Sequence, residues 1–382
     1  MAKQTGLEGL VAGDTDICAV QQDDLIYRGY GVGELAEHAT FEEVAYLLLV
    51  GEKPGPAELE TFKRELVEAR PLPETVRAYL NSSKLMIDSG AATPMDIVRT
   101  AVSLLGNLDE QAQSIEREAE VAKAKRVLAK IPTIIGHMQR VIEGKSPVAP
   151  DAGGDPALSH AANLLYLITG EKPAEDAART MDVSLILYAE HDFNASTFTG
   201  RVIASTLSDL HGALTGAIAA LKGPLHGGAN EAAMAMLQEI KRDTDSGEMT
   251  VEDWMHRAFE EKRKLMGFGH RVYKNGDHRA PILHALGRKA AEQRGPEWVE
   301  WFDLGEKVMK VMLDEKGIHP NVDFPCGLTY YTMGIPVPQY TPIFVASRVT
   351  GWSAHVLEQH ANNRLIRPLA EYTGPDKRPW KG

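Results

Sequence analysis

Cysteine is nearly missing from this sequence: 382 residues contain only Cys18 and Cys326. Two thiols cannot form a disulfide framework, so a reducing compartment fits best. No secretory leader is expected, because Met-Ala-Lys-Gln-Thr-Gly at the start is not a basic stretch followed by an apolar one. No apolar run is long enough for a membrane span. The richest, 210–225, is broken by His211, Lys222 and several glycines. These absences together predict a cytoplasmic location. Positive charge is in deficit, with 41 Lys and Arg against 53 Asp and Glu and a net charge of -12. That excludes a nucleic acid or an anionic membrane held by bulk charge, though a local cation cluster would still serve a small anion. Low-complexity segments are absent as well.

Several catalytic signatures are missing too. There is no phosphate-binding G-x-x-x-x-G-K-[ST] loop and no G-x-S-x-G elbow. Gly29, Gly31 and Gly33 have the wrong spacing for a dinucleotide fingerprint and no strand before them. His355 and His360 are five apart, which rotates them off a common helix face, and Cys326 has no C-x-x-C partner. Nucleotide, serine-hydrolase and metal chemistry all lack their residues, and no metal is expected.

What is present reads as helix after helix. Hydrophobic residues make up 43% and charged residues 25%, enough to build a core. The length suggests two or three domains, or one large domain with an insert. Thr40-Phe-Glu-Glu43 is a capping box, Gly51 a stop, and Pro54 and Pro56 a restart. The same helix end, glycine stop and proline restart recurs at Leu165–Pro173. Two distant copies do not make a tandem repeat. Long helices are predicted over 112–143 and 156–221, the latter with Gly, Ala and Ser at helical spacing over 199–222. Strand alternation is scarce, so the fold class predicted is all-α, helix packed on helix. The stretch 225–325 is more charged, with amphipathic helices predicted at 229–243, 250–265 and 280–316, and reads as a second domain inserted into the first.

Three polar residues stand out. His226, in Gly223-Pro-Leu-His-Gly-Gly, precedes a helix predicted from Ala229. A histidine there stays neutral beside the positive helix end and can donate to an oxygen gaining charge, but taken alone it reads first as a cap of its own helix. His270 follows Gly267-Phe-Gly269, inside a cluster of Lys262, Arg263, Lys264, Arg271, Lys274 and Arg279. Such a run is usually a solvated face, but the cluster would also suit phosphates and carboxylates. Asp323 lies between Val322 and Phe324 in a loop fixed by Pro320 and Pro325. Apolar neighbours would make it a stronger base; the alternative is a turn or N-cap aspartate.

In this order the three segments resemble the citrate synthase family. The likeness runs from Gly9-Leu-Val-Ala-Gly-Asp-Thr-Asp-Ile17 to Arg367-Pro-Leu-Ala-Glu-Tyr-Thr-Gly-Pro375. Gly267-Phe-Gly-His-Arg-Val-Tyr-Lys274 carries it, with Tyr340-Thr-Pro-Ile-Phe-Val and Ser347-Arg-Val-Thr-Gly-Trp-Ser-Ala-His355. The resemblance implies a helical homodimer of the short type. Its large domain would span 1–224 and 326–382, and an inserted domain, 225–325, would close over the substrates. It implies condensation of acetyl-CoA with oxaloacetate, with no other cofactor. Asp323 matches the base that deprotonates the acyl carbon, and His226 the donor to the thioester oxygen. His270 matches the donor to the oxaloacetate ketone, and His191 a further oxaloacetate ligand. Arg279 and Arg348 match carboxylate clamps, and Arg367 one reaching in from the partner subunit. Lys274 and Arg364 match CoA phosphate contacts. The motif departs from the family's Asp-Pro-Arg or Asp-Ser-Arg at Asp277-His278-Arg279.

Such chemistry needs these residue types. A carboxylate is a weak base for a thioester's α-hydrogen, so the oxygen that gains charge must be stabilised across from it. A second donor must activate the ketone, and two substrate carboxylates call for arginines. A 2-methylcitrate synthase using propionyl-CoA shares every one of these residues. The two differ by one methylene in a pocket, worth about 1–3 kcal/mol. A non-catalytic helical scaffold would have lost one of the three residues. A lyase acting on a citryl-CoA-like compound would call for a nucleotide-using partner.

Overall fold

The structure is a computed structural model, and it describes residues 9–148, 153–270 and 272–380. The N-terminal hexapeptide and Arg271, both read above, lie outside the described residues.

A small antiparallel sheet opens the fold, with β1 (Cys18–Val20), β2 (Leu25–Tyr27) and β3 (Tyr30–Gly31) in that order. Sequence patterning missed it, since strands of two or three residues are too short to show alternation. Its inner residues Leu25 and Tyr27 are fully buried. The rest is helical. First come α1 (Val32–His38), α2 (Phe41–Val50), α3 (Pro56–Ala69), α4 (Glu74–Leu80), α5 (Ser83–Asp88), α6 (Pro94–Leu108) and α7 (Arg117–Ile142). Then follow α8 (His160–Thr169), α9 (Glu175–Tyr188), α10 (Ala195–Ala204) and α11 (Leu210–Leu221). The remainder is α12 (Ala229–Thr244), α13 (Val251–Glu260), α14 (Arg279–Arg294), α15 (Pro296–Lys316), α16 (Asp323–Thr332) and α17 (Tyr340–Ala361).

Local chemistry sets these boundaries. At α2 the Thr40 hydroxyl accepts the Glu43 N–H, Glu43 accepts the Thr40 N–H, and Gly51 ends the helix at φ 110°. Pro56 opens α3, and Gly170 closes α8 at φ 81°. Three predicted spans are corrected. The stretch 156–221 is four helices. The stretch 250–265 stops at Glu260, shortly before Lys262 turns to φ 54°. The stretch 280–316 is two helices, parted where Gly295 at φ 131° meets Pro296. Proline lacks the N–H to continue a helix but costs nothing at the start of one.

The core is built around α17. It is buried on nearly all sides, from Tyr340 to His360, polar residues such as Arg348 and His355 included. It packs on α2, α7, α9, α10 and α11. Within the second half α14 and α12 pack on α16, and α13 packs on α15. This group meets the rest through α9 against α14 and α12 against α17. Among the described residues no helix is long and apolar enough to cross a membrane.

Close helix approach is visible at Gly136 in α7. A Cβ there would lie 2.4 Å from the Leu167 Cβ and 2.8 Å from its backbone. Alanine gains roughly 1 kcal/mol of helix propensity, but overpacking costs about 1–3 kcal/mol. Because the clash is with backbone, Gly136→Ala is expected to lower the calorimetric unfolding temperature. An unchanged or higher value would refute the close packing of α7 on α8.

Candidate active site

The C-terminal turn of α9 organises the site. A helix end leaves its last carbonyls without intrahelical partners. Here the Leu187 carbonyl accepts from Arg279 NH1 at 3.3 Å and the Tyr188 carbonyl from Arg348 Nε at 2.7 Å. The Ala189 carbonyl accepts the Gly351 N–H at 3.2 Å. Glu190 is fully buried and takes a hydrogen bond from His355 Nε2 at 2.9 Å, while the Tyr27 hydroxyl donates to its carbonyl at 2.9 Å. Gly351 is required for this contact, because a Cβ would sit 1.9 Å from Glu190 Oε2. None of these partners is near the turn in sequence.

Asp323 is the first residue of α16, not part of a loop, and its neighbour Val322 is the N-cap. Its backbone N–H is taken by Asn321 Oδ1 at 3.0 Å. Its carboxylate accepts the Tyr188 hydroxyl at 2.7 Å. Burial pushes the carboxyl above its ordinary range, against the hydrogen bond from Tyr188 and the fields of Arg279 and Arg348.

His226 does not cap α12, whose N-cap is Gly228 with no side-chain cap. Its Nε2 accepts the Ser196 N–H at 3.3 Å and lies 2.8 Å from the Ser196 hydroxyl. An accepting Nε2 leaves the ring proton on Nδ1, which has no partner among the described residues. The ring is held at about 4 chiefly by burial, then by Arg348, and not by the helix end as predicted. Ser196 is fixed in turn because Asn194 Oδ1 caps α10 through the Ser196 and Thr197 N–H groups, and Trp352 Nε1 donates to the Ser196 hydroxyl at 3.2 Å.

His270 has the opposite tautomer. Its Nδ1 accepts the N–H groups of Val272 and Tyr273, both at 3.2 Å, so the free Nε2 carries the proton. The ring stacks on Tyr273 with centroids 4.4 Å apart and meets His191 edge-on at 5.2 Å. Burial, then Arg279, holds it at about 4. His191 is pushed well below its usual value by burial and both arginines, and its buried Nε2 has no partner.

The two arginines differ. Arg279 is 4% exposed and forms a two-pronged pair with Asp277, with Nε at 2.9 Å and NH2 at 2.8 Å. Three of its five N–H groups are therefore used, counting the one given to Leu187. Burial opposes the Asp277 charge, but the arginine wins and holds that carboxyl at about 2. Arg348 is 2% exposed and spends only Nε. Its four remaining N–H groups have no partner among the described residues. Burial lowers its pKa, with Glu190 the leading counter-charge. Its terminal nitrogens are not among the buried atoms that lack a partner, so they open toward the site, where a planar pair of donors suits an anion. Both arginines act on Asp323 and His191; Arg348 also acts on His226, and Arg279 on His270.

The remaining expected residues are spread out. Lys274 is exposed and its Nζ reaches the His270 carbonyl at 3.3 Å. Arg364 and Arg367 lie in the exposed, helix-free stretch after α17. The cation cluster is largely dispersed: Arg263 is clamped by Glu239 through two bonds of 2.8 Å, and Lys262 and Lys264 face solvent. His278 bonds the Gln22 carbonyl through Nε2 at 3.0 Å. Sequence reading missed Tyr188, Ser196 and Glu190. Only the last two carried any local signal, as neighbours of an N-capping asparagine and of His191.

The buried histidines fix the acid side of stability. His137, His226 and His270 are held at about 4 and His160 at about 3, each mainly by burial, against about 6.5 in an unfolded chain. As pH falls from about 6.5 to 4 the unfolded chain binds protons that the folded one does not, so stability is lost across that window. Asp323 and Asp182, both raised by burial and the latter to about 6, work the other way, but they are two groups against four histidines. Carboxylates held at about 2, Asp277 and Asp96, add their loss only below about 4. The unfolding temperature is therefore expected to fall steadily on acidification from pH 6.5 to 4.5. A flat profile would contradict neutral, buried imidazoles.

A family model described as citrate synthase, C-terminal domain, matches residues 6–369. Citrate synthase 2 of Bacillus subtilis is 42% identical over 100% of this chain and 98% of its own. The 2-methylcitrate synthase of Shewanella oneidensis is 44% identical over 98% of this chain and 95% of its own. Among solved structures, the citrate synthase of Thermoplasma acidophilum, in a ternary complex with carboxymethyl coenzyme A and oxaloacetate, superposes with a TM-score of 0.87. It is 32% identical and the match covers 99% of this chain and 97% of that one. With the helical fold and the match across nearly its whole length, this chain belongs to the citrate synthase family of acyltransferases.

Proposed function

We propose that this chain condenses acetyl-CoA with oxaloacetate and water to give citrate and CoA. One observation carries the reading: two neutral imidazoles, each with its only free ring nitrogen protonated, share one buried site with an elevated carboxylate and an arginine whose donors are idle. Asp323 takes a proton from the acyl carbon. The thioester oxygen gains charge and receives a hydrogen bond from His226 Nδ1–H; a preorganised donor of this kind is worth about 3–4 kcal/mol. The enol carbon then attacks the oxaloacetate ketone, a carbon–carbon bond forms, and the ketone oxygen takes the proton of His270 Nε2. Water cleaves the thioester, and release of the CoA thiol drives the reaction forward. His191, Arg279 and Arg348 hold oxaloacetate; the idle donors of Arg348 and the orphaned His191 Nε2 support this. The ligands of the Thermoplasma relative support both substrate classes.

Lys274 and Arg364 contact the CoA phosphates in this reading, and Arg367 enters the site of the other subunit of a homodimer. Its place in an exposed, helix-free stretch supports such a reach. The segment 225–325 closes on the larger domain of 1–224 and 326–382 and keeps water out until condensation is done. The protein needs no metal or organic cofactor, engages no nucleic acid or membrane, and works in the cytoplasm. A second reading, propionyl-CoA giving 2-methylcitrate, is favoured by the 44% identity to the Shewanella enzyme.

Asp323→Ala and His226→Ala are each expected to lower turnover by about 10²–10⁴-fold with the circular dichroism unchanged. A near-parent rate in either would remove that residue from the mechanism. Free-thiol release from acetyl-CoA and from propionyl-CoA, each with oxaloacetate, separates the two substrates through their specificity constants. No release with either would overturn the enzymatic reading.

A further inference from the structure

Asp323 receives one hydrogen bond at its carboxylate from the described residues, and it comes from Tyr188 at 2.7 Å. Tyr188 is the last residue of α9, while Asp323 opens α16 in the other half of the fold. The phenol ring is locked: it meets Phe344 edge-on at 4.6 Å, and the carbonyl of the same residue holds Arg348 at 2.7 Å. One residue thus fixes the oxygen of the carboxylate and the guanidinium of the anion site at once.

Taking Asp323 as the base proposed above, we infer that Tyr188 is a positioning residue for it, its hydroxyl pinning Oδ1 and leaving Oδ2 to accept the substrate proton. The reasoning is geometric. A carboxylate at the start of a helix swings about its side-chain torsions unless one oxygen is tied. Tying Oδ1 to a rigid phenol leaves one acceptor in one direction, which is what proton abstraction from carbon requires. The same bond stabilises the charged form in a site where burial penalises it. The other groups acting on Asp323 are Arg279, Asp277 and Arg348 from neighbouring elements. Cys326 on its own helix, a buried thiol pushed up to about 12, stays neutral beside it. None of these donates a hydrogen bond to the carboxylate. Asn230 of α12 faces the Cys326 sulfur, not Asp323.

Tyr188→Phe removes the hydroxyl and keeps the ring against Phe344, so the fold is expected to survive with an unchanged circular dichroism spectrum. The acid limb of kcat/KM for the acyl-CoA is expected to move up by about one pH unit. The KM for oxaloacetate should stay within about two-fold, because Arg348 is held by the backbone carbonyl and not by the hydroxyl. An isotope-edited infrared titration of the Asp323 carboxyl, assigned by its loss in Asp323→Asn, reads the same shift without turnover. An acid limb and an infrared midpoint both at the parent position would overturn the inference. A purely structural role would scale the whole profile down without moving its midpoint, and that too would overturn it. Asp323→Asn separates this from the parent reading: if it turns over at the parent rate, Asp323 is not the base, whatever Tyr188→Phe does.

Discussion

The end of one helix holds this site together. Three successive carbonyls, of Leu187, Tyr188 and Ala189, emerge from α9 without intrahelical partners, and each is claimed by a donor from α14 or α17. Two of those donors are guanidinium groups. The negative end of a helix favours cations, and a buried arginine needs every acceptor it can find. The turn thereby sets where both arginines stand, and through the Tyr188 hydroxyl where the Asp323 carboxylate stands. Move the turn and both arginines and the Asp323 carboxylate move together.

Burial supplies the electrostatics. It keeps His191, His226 and His270 neutral, and in His226 and His270 the donating nitrogen is set by what the other one accepts. It raises Asp323, which makes a better base. The two arginines resolve the same constraint differently. Arg279 is neutralised by Asp277 within the chain, whereas Arg348 keeps four donors idle beside a more distant counter-charge on Glu190. A site with one satisfied and one unsatisfied arginine is poised for a ligand that brings its own charge.

The helical architecture was legible because its signals are local. Thr40 and Glu43 close a capping box over four residues, and Gly51 and Gly170 take the left-handed turn that glycine allows. The misreadings were local too. Reading 280–316 as one helix passed over the break at Gly295 and Pro296, where a glycine at φ 131° meets a residue without an N–H. The small sheet was hidden by its shortness. The cation cluster around His270 looked like one patch in sequence; folded, Arg263 and Arg279 face different carboxylates.

The sequence by itself determined the family and most of the helix starts and stops. Histidine, aspartate and arginine in glycine-rich or apolar segments, in this order, are specific enough to mark the family. Tertiary structure alone decided how those residues act. Whether His226 caps a helix or lies against Ser196 depends on α10, thirty residues earlier in the chain. The tautomers of His226 and His270 follow from backbone N–H groups that no motif names. Tyr188 had no signal at all, since an aromatic at the end of an apolar helix reads as core. Its role exists only because packing of α9 against α14 and α17 brings a phenol to a carboxylate 135 residues away. Hydrogen bonds have a reach of about 3 Å, and which groups come that close is a property of the packed chain, not of its order.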